Sequence, residues 1–279
     1  MTKARNNRLT GPSTRAENIR TRPSQLGSVS ILGIRIVNAS MQEAISFIEK
    51  SLTQKVSRTQ GIYIVNAHTL NLASESPEYR RVLDNAHAVF GDGTGVRWAA
   101  RLRGVRMKAN LVGTDLIPEL FQQTAGRGFR YFLLGANAPT IAAAAQTSAK
   151  LYPGWELVGA HHGYVGDGVE AATVIAQINN AQPHVLLVGM GNPLQESWIH
   201  THGHKLRVPV SIGVGGLFDH WGGNLTRAPS WVRRHGFEWL QLMLQQPHKS
   251  RRYLLGNPKF LMRIARSMRA EHVAGAQQS

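Results

Sequence analysis

Apolar positions along the chain follow two rhythms. Ile62–Val65, Ala88–Phe90, Tyr131–Leu134, Leu157–Ala160, Val185–Val188 and Val210–Val214 are short continuous runs, and most of them stop at a glycine or an asparagine. Strands buried on both faces of a parallel sheet read this way, because neither face needs a polar partner for water. Between these runs the apolar spacing changes to three and four. Ser40-Met-Gln-Glu43 is a capping box that opens a helix through Ala44, Ile45, Ile48 and Leu52. A second helix follows Asn66-Ala-His-Thr-Leu-Asn71, Pro77 marks another start, and further helices are predicted over 96–103, 116–124 and 169–180. Asn137 can cap a helix, and Pro139 can sit in its first turn before an alanine-rich run to Leu151. Ile31 to Val37 is read as one opening strand interrupted by Gly33.

Strands alternating with helices of this length predict βαβ units. The fold class is therefore α/β, a Rossmann-like parallel sheet flanked by helices, with a basic C-terminal helical appendage. The expected boundaries are a disordered basic tail over 1–29, the α/β domain over 30–230, the appendage over 231–270 and a second disordered tail over 271–279. Residues 227–270 hold ten Lys/Arg against one acid, Glu238. At about 100° per residue, Phe260, Leu261, Ile264, Ala265 and Met268 share an arc of roughly 140°, with Lys259, Arg263, Arg266 and Arg269 on the other side. Such a helix suits an anionic membrane surface, or docks on its own domain with a solvated basic face.

Composition narrows the chemistry. The chain has 279 residues, a formal charge of +16 and no cysteine, which removes disulfides, thiolate nucleophiles and cysteine zinc sites. No run of eighteen apolar residues occurs, and no apolar core follows the basic start at Lys3, Arg5, Arg8, Arg15, Arg20 and Arg22, so neither a membrane span nor a secretory signal is expected. Aromatic content of 7% and the lack of a recognition motif argue against nucleic acid, leaving anionic lipid or a diphosphate substrate as the partner for the charge.

The stretch from His184 to Trp231 carries the most chemistry. Its two strands exit into glycine-rich turns, Gly189-Met-Gly191 and Gly213-Val-Gly-Gly216, and Pro193 suits the start of a helix through Gln195 and Glu196. A helix start aimed at a strand-end crevice favours an anion such as diphosphate. Asp219 is placed in the loop beyond the second strand, where it could accept from sugar or ribose hydroxyls.

Blocks in this stretch and elsewhere resemble the WecG/TagA/CpsF family of bacterial glycosyltransferases. They are Asn66-Ala-His-Thr-Leu-Asn71, Gly91-Asp-Gly-Thr-Gly-Val96, Gly113-Thr-Asp115, Leu133-Leu-Gly-Ala136, Gly191-Asn-Pro-Leu-Gln-Glu196, Gly213-Val-Gly-Gly-Leu-Phe-Asp219, Arg227-Ala-Pro-Ser-Trp231, Glu238-Trp-Leu240 and Arg251-Arg-Tyr253, in order over roughly residues 30–260. The resemblance implies an inverting transferase that needs no metal or other cofactor, working peripherally on the cytoplasmic face of the cell membrane. It would move a sugar from a UDP-sugar to a polyprenyl-diphosphate-linked saccharide in surface-polysaccharide synthesis. Asp92 falls at the position of the family's proposed catalytic base. Thr69 and Asn71 match a Thr-x-Asn implicated in holding the sugar or its phosphate. Gln195 and Asp219 match positions associated with the nucleotide. Gly135, Ala136, Gly189, Gly191 and Pro193 lie at the strand exits that would line the donor site, and Arg251 and Arg252 are cations available to its diphosphate. Taken alone, Asp92 reads equally as an Asp-Gly turn, Thr69 and Asn71 as helix-cap residues, and Gln195 as a surface helix residue.

The five aspartates, at 84, 92, 115, 167 and 219, form no Asp-x-Asp pair, and His161-His162 and His200-Thr-His202-Gly-His204 have no partnering acid at metal-binding spacing. Some positions depart from the family's pattern: Ala109-Asn110 stands where Glu-Arg is usual, Leu194 and Leu242 replace cations, and Lys249 stands for an arginine. Two other readings remain open. A dinucleotide-dependent oxidoreductase would need a full glycine fingerprint and a ribose-binding acid, which Gly213-Val-Gly-Gly216 lacks. A basic adaptor without catalysis would bind lipid or nucleic acid but no UDP. Oligomeric state is not legible.

Overall fold

Every strand of the sheet but the first runs in one direction. The computed structural model describes residues 26–227, Gln245 and residues 250–276, with the side chains of 256–270 in that last segment. β1 (Gly27–Ile31) and β2 (Ile34–Asn38) form an antiparallel hairpin through Leu32 and Gly33, whose φ values are 50° and 80°. The single interrupted strand expected from Ile31 to Val37 is thus two strands. Left-handed backbone at two successive residues reverses the chain rather than bulging it.

The remaining elements alternate as the pattern predicts. In order they are α1 (Met41–Leu52), β3 (Gln60–Val65), α2 (Ala67–Glu75), α3 (Pro77–Asp84), β4 (Ala88–Gly91), α4 (Gly93–Leu102) and α5 (Gly113–Gln123). Then come β5 (Arg130–Gly135), α6 (Ala138–Leu151), β6 (Glu156–His161), α7 (Val169–Ala181), β7 (Val185–Gly189), α8 (Leu194–His202), β8 (Val210–Gly213), α9 (Leu217–Trp221) and α10 (Ser250–Ala276). The capping box of α1 forms in both directions, Glu43 N to Ser40 Oγ at 3.2 Å and Ser40 N to Glu43 Oε2 at 2.7 Å. Asn137 Oδ1 accepts from Thr140 N at 2.9 Å to start α6.

The eight strands lie in the order β1-β2-β4-β3-β8-β7-β5-β6. Alternate residues of the central strands face opposite layers. Ile62, Ile64, Val185 and Leu187 join α1, α5, α6 and α9, while Tyr63, Val65, Leu186 and Val188 join α2, α3, α4, α7, α8 and α10. The sheet is therefore a buried middle layer, as its continuous apolar runs require.

The end of the chain resolves one of the open alternatives. Phe260 and Ile264 of α10 are buried against the domain, and Phe260 lies alongside Gly95 of α4. Asn71 Nδ2 donates to Gly256 O at 2.8 Å, Arg263 Nη1 donates to Asn71 O and Oδ1 at 3.0 Å each, and Lys259 and Arg263 reach Glu75 Oε1 at 2.7 and 2.8 Å. Those two cations hold the Glu75 carboxyl below its usual range. Half of the basic face expected to meet a membrane is thus engaged within the domain. The helix also continues to Ala276, past residue 270, and β1 begins at Gly27, ahead of residue 30. Residues 1–25 and nearly all of 228–249 lie outside the described residues. No described helix is long and apolar enough to cross a membrane.

A half-buried histidine gives the fold a pH dependence. His87 precedes β4, stacks on Phe47 with ring centroids 5.0 Å apart, and is pushed by burial from an ordinary value near 6.5 down to about 4. The unfolded chain therefore binds this proton before the folded one does, and the stabilisation is present above pH 6.5 and lost as pH falls toward 4. Between pH 7 and pH 5 the loss is up to about 2 kcal/mol. Denaturant titrations of wild type and His87→Phe at the two pH values should show that difference shrinking in the variant.

Candidate active site

The carboxyl ends of five adjacent strands, β4, β3, β8, β7 and β5, form one row along a sheet edge about 20 Å long at 4.7–4.9 Å per strand. In an open α/β sheet this edge is where ligands bind. The row is built from backbone more than from side chains. Gly135 has φ +154°, and a Cβ there would collide with the Gly189 carbonyl, so the β5 and β7 exits touch directly. Ala136 N donates to Gly189 O at 3.0 Å and ties the two turns together. A Cβ at Gly213 would sit 2.8 Å from Gln195 Nε2, so glycine there lets α8 close against the β8 exit.

Asp92 follows β4 as the N-cap residue of α4, and its side chain makes no capping hydrogen bond. The amide of Gly93 donates instead to Asn110 Oδ1 at 2.6 Å. Asn110, at the position where the family has an arginine, thus supplies the cap from outside the helix. On the neighbouring strand Asn66 caps α2, its Oδ1 accepting from His68 N at 3.1 Å and Thr69 N at 3.2 Å.

The predicted site residues divide accordingly. Asp92, Gly135, Ala136, Gly189, Gly191 and Pro193 all lie on the row. Thr69 is fully buried and its hydroxyl lies 3.3 Å from Asn66 Oδ1, which it meets as a donor. Asn71 leaves the same edge, but its side-chain amide and oxygen are taken by α10. Gln195 is not a surface residue: it is 1% exposed, and its Oε1 accepts from Gly215 N at 3.1 Å. Asp219 lies in the first turn of α9 rather than in a loop, because the chain turns into helix at Leu217. Arg251 and Arg252 lie on α10, but their side chains fall outside the described residues, as does Leu242. Leu194 opens α8 and is exposed.

Sequence reasoning missed the group beneath the row. Glu196 has no solvent exposure, and its carboxylate accepts from Asn192 Nδ2 at 2.6 Å, Gln195 Nε2 at 2.7 Å and Tyr79 OH at 3.1 Å. Tyr63 OH donates to the Glu196 carbonyl at 3.3 Å. Burial raises the Glu196 carboxyl above its usual range, against the pull of its three donors. It also raises both tyrosines, with the Glu196 charge adding to the effect. The network joins α3 to the turns after β7 and β8. The signal was available, since Glu196 is the only acid between Glu170 and Asp219.

A second lock holds the opposite layer. Arg227 Nη1 donates to Asp115 Oδ1 at 2.6 Å and to Thr114 O at 2.8 Å. A cleft of about 600 Å³ opens beside it, bordered by Tyr152, His220 and Trp221. Burial, then the nearby Arg227 charge, lowers the His220 imidazole. No group of three or more His, Asp or Glu able to hold a metal occurs among the described residues.

This arrangement defines an α/β protein of the strand-end cleft class, with one carboxylate on a glycine turn and several helix starts around it. The chain belongs to the glycosyl transferase WecG/TagA/CpsF family, whose profile matches residues 29–273. It is 32% identical to an N-acetylglucosaminyldiphosphoundecaprenol N-acetyl-beta-D-mannosaminyltransferase of Bacillus subtilis (strain 168), over 84% of this chain and 90% of that protein. A protein of the same description from Bacillus spizizenii is 33% identical over 82% and 88%. One from Staphylococcus aureus (strain MW2) is 29% identical over 88% and 95%.

Glu196→Ala would leave two amides and a tyrosine hydroxyl buried without an acceptor, each costing roughly 1–3 kcal/mol. The expected loss of stability is about 3 kcal/mol or more by denaturant unfolding. Glu196→Gln, which keeps an acceptor oxygen, should lose clearly less.

Proposed function

We propose that the chain is an inverting, metal-independent glycosyltransferase that moves a sugar from a UDP-sugar to a polyprenyl-diphosphate-linked saccharide, peripherally at a membrane surface. Family membership and the relatives' names support the reaction class and the lipid-linked acceptor. The observation that carries the site is the position of Asp92: it stands on the glycine turn after β4, in the row of strand ends, where Asn110 accepts from the first amide of α4.

In the proposed reaction the acceptor hydroxyl attacks the anomeric carbon as the bond from that carbon to the diphosphate oxygen breaks. Asp92 takes the hydroxyl proton, UDP leaves as the anion, and configuration inverts. A base in this role must lie within hydrogen-bond reach of the acceptor. Charge growing on the diphosphate is met by amide groups at helix starts along the row and by Arg251 and Arg252 from α10. Gly189, Gly191 and Pro193 let donor and backbone approach, and Asp219 meets a hydroxyl of the nucleotide. Thr69, Asn71 and Gln195 act through the frame: they fix Asn66, α10 and the Gly215 turn. Without an Asp-x-Asp pair in the sequence, this reading assigns charge neutralisation to the protein rather than to a cation. An N-acetylmannosaminyl donor is the first to test, because the relatives' names carry that sugar.

Single-turnover transfer to a short-chain prenyl-diphosphate-sugar should fall by roughly 10²–10⁴-fold in Asp92→Asn, the usual value of general-base assistance. UDP affinity should change less than about threefold, since the variant keeps shape and loses only basicity. Turnover within about fivefold of wild type would return Asp92 to the role of a turn residue. Rates in excess EDTA should match rates in magnesium, and a loss restored by magnesium or manganese would overturn metal independence.

A further inference from the structure

α4 has an outer face that is solvent-exposed among the described residues. Its inner side is ordinary: Val96, Ala99 and Ala100 are buried. On the outside Trp98 is 56% exposed and Leu102, one helical turn on, 54%, so the two form a contiguous apolar stripe. Arg97 and Arg101 are exposed as well, and the helix contains no acid. At about 100° per residue, Arg97 and Arg101 form one stripe and Trp98 and Leu102 the next, within an arc of roughly 140°.

α10 runs beside it, with Phe260 against Gly95 and Arg103 Nη2 on Ser267 Oγ at 2.9 Å. It exposes Leu261 at 40% and Met262 at 55%, together with Arg266 and Arg269. The α4 surface starts one residue after Asp92.

We propose that the outer face of α4 is a lipid-docking surface, which seats Trp98 and Leu102 in the headgroup region of an anionic phospholipid bilayer with Arg97 and Arg101 on its phosphates. An indole ring and a leucine beside paired arginines match that boundary in both polarity and charge. A nucleic-acid duplex would satisfy the arginines and leave the Trp98–Leu102 stripe in water, and a single strand could stack a base on Trp98 but would leave Leu102 unmatched. A second copy of the chain would bring arginine against arginine in a molecule already carrying +16. The surface goes beyond the transferase reading, because it puts a membrane contact on the catalytic domain itself and not only on the appendage. It is tested without any sugar or turnover, so it can fail while that reading stands.

The chain has no cysteine, so one introduced thiol labels one position. Full-length Leu102→Cys, carrying an environment-sensitive fluorophore, is mixed with phosphatidylcholine vesicles with or without phosphatidylglycerol. Leu151→Cys, at an exposed position in the opposite layer, is the control. The label at 102 should shift to the blue and brighten severalfold on vesicles containing phosphatidylglycerol only, and the label at 151 should not. Trp98→Ser with Leu102→Ser should weaken vesicle binding about tenfold or more, with the melt unchanged, since both residues are exposed. Arg97→Glu with Arg101→Glu should abolish the preference for phosphatidylglycerol at position 102. No change at 102 while the protein sediments with vesicles overturns the proposal. So does a blue shift in buffer that grows with protein concentration, which marks contact between copies, or one produced by RNA or DNA but not by vesicles.

Discussion

Parallel strands buried on both faces must all leave the sheet at one edge. That constraint decides where this protein can do chemistry. β4, β3, β8, β7 and β5 release their chains side by side, and each release needs a turn tight enough to feed a helix without striking its neighbour. The turns meet this need with glycine backbone at Gly135, Gly189 and Gly213. A row of glycine turns without side chains also leaves the backbone of this edge open to close approach, so the packing solution and the open edge are one feature.

Turns made of glycine hold no shape by themselves, and buried polar groups supply it. Glu196 collects Asn192, Gln195 and Tyr79, and Gln195 passes the constraint to Gly215. In the opposite layer Arg227 ties the chain after α9 to the start of α5. A charge without solvent contact is unfavourable unless its donors stay in place, so the network favours a single arrangement of both turns. Several family blocks therefore contribute to the frame: Gln195-Glu196 braces the turns after β7 and β8, and Asp115 with Arg227 ties the chain after α9 to α5.

The sheet and most helices were legible because their signals are local. Continuous apolar runs, the Ser40–Glu43 box, Pro77 and Asn137 with Pro139 each act within a few residues. The site was legible as an edge and as a set of positions, but not in its division of labour. Gln195 reads as surface because helical spacing says nothing of a strand exit closing over it. Asn71 reads as a cap or a sugar ligand because its true partners, Gly256 and Arg263, lie far along the chain. Asn110 reads as a lost cation, whereas its contact with Gly93 is a capping bond across seventeen residues. Tyr79 and Tyr63 carried no signal, since nothing in their own segments announces an acid on α8.

α2 has a further consequence. Its nine residues, about 13 Å of helix, carry the Asn66 turn of the strand-end row at one end and the Glu75 clamp on α10 at the other. The two ends belong to one short helix, so a shift of either is felt at the other. Linkage is reciprocal: whatever factor the docking of α10 adds to affinity at the row, occupancy of the row adds to the docking of α10. The tail of this protein is in that sense a second ligand of the domain, tethered to it and competing or cooperating with whatever else the helix touches.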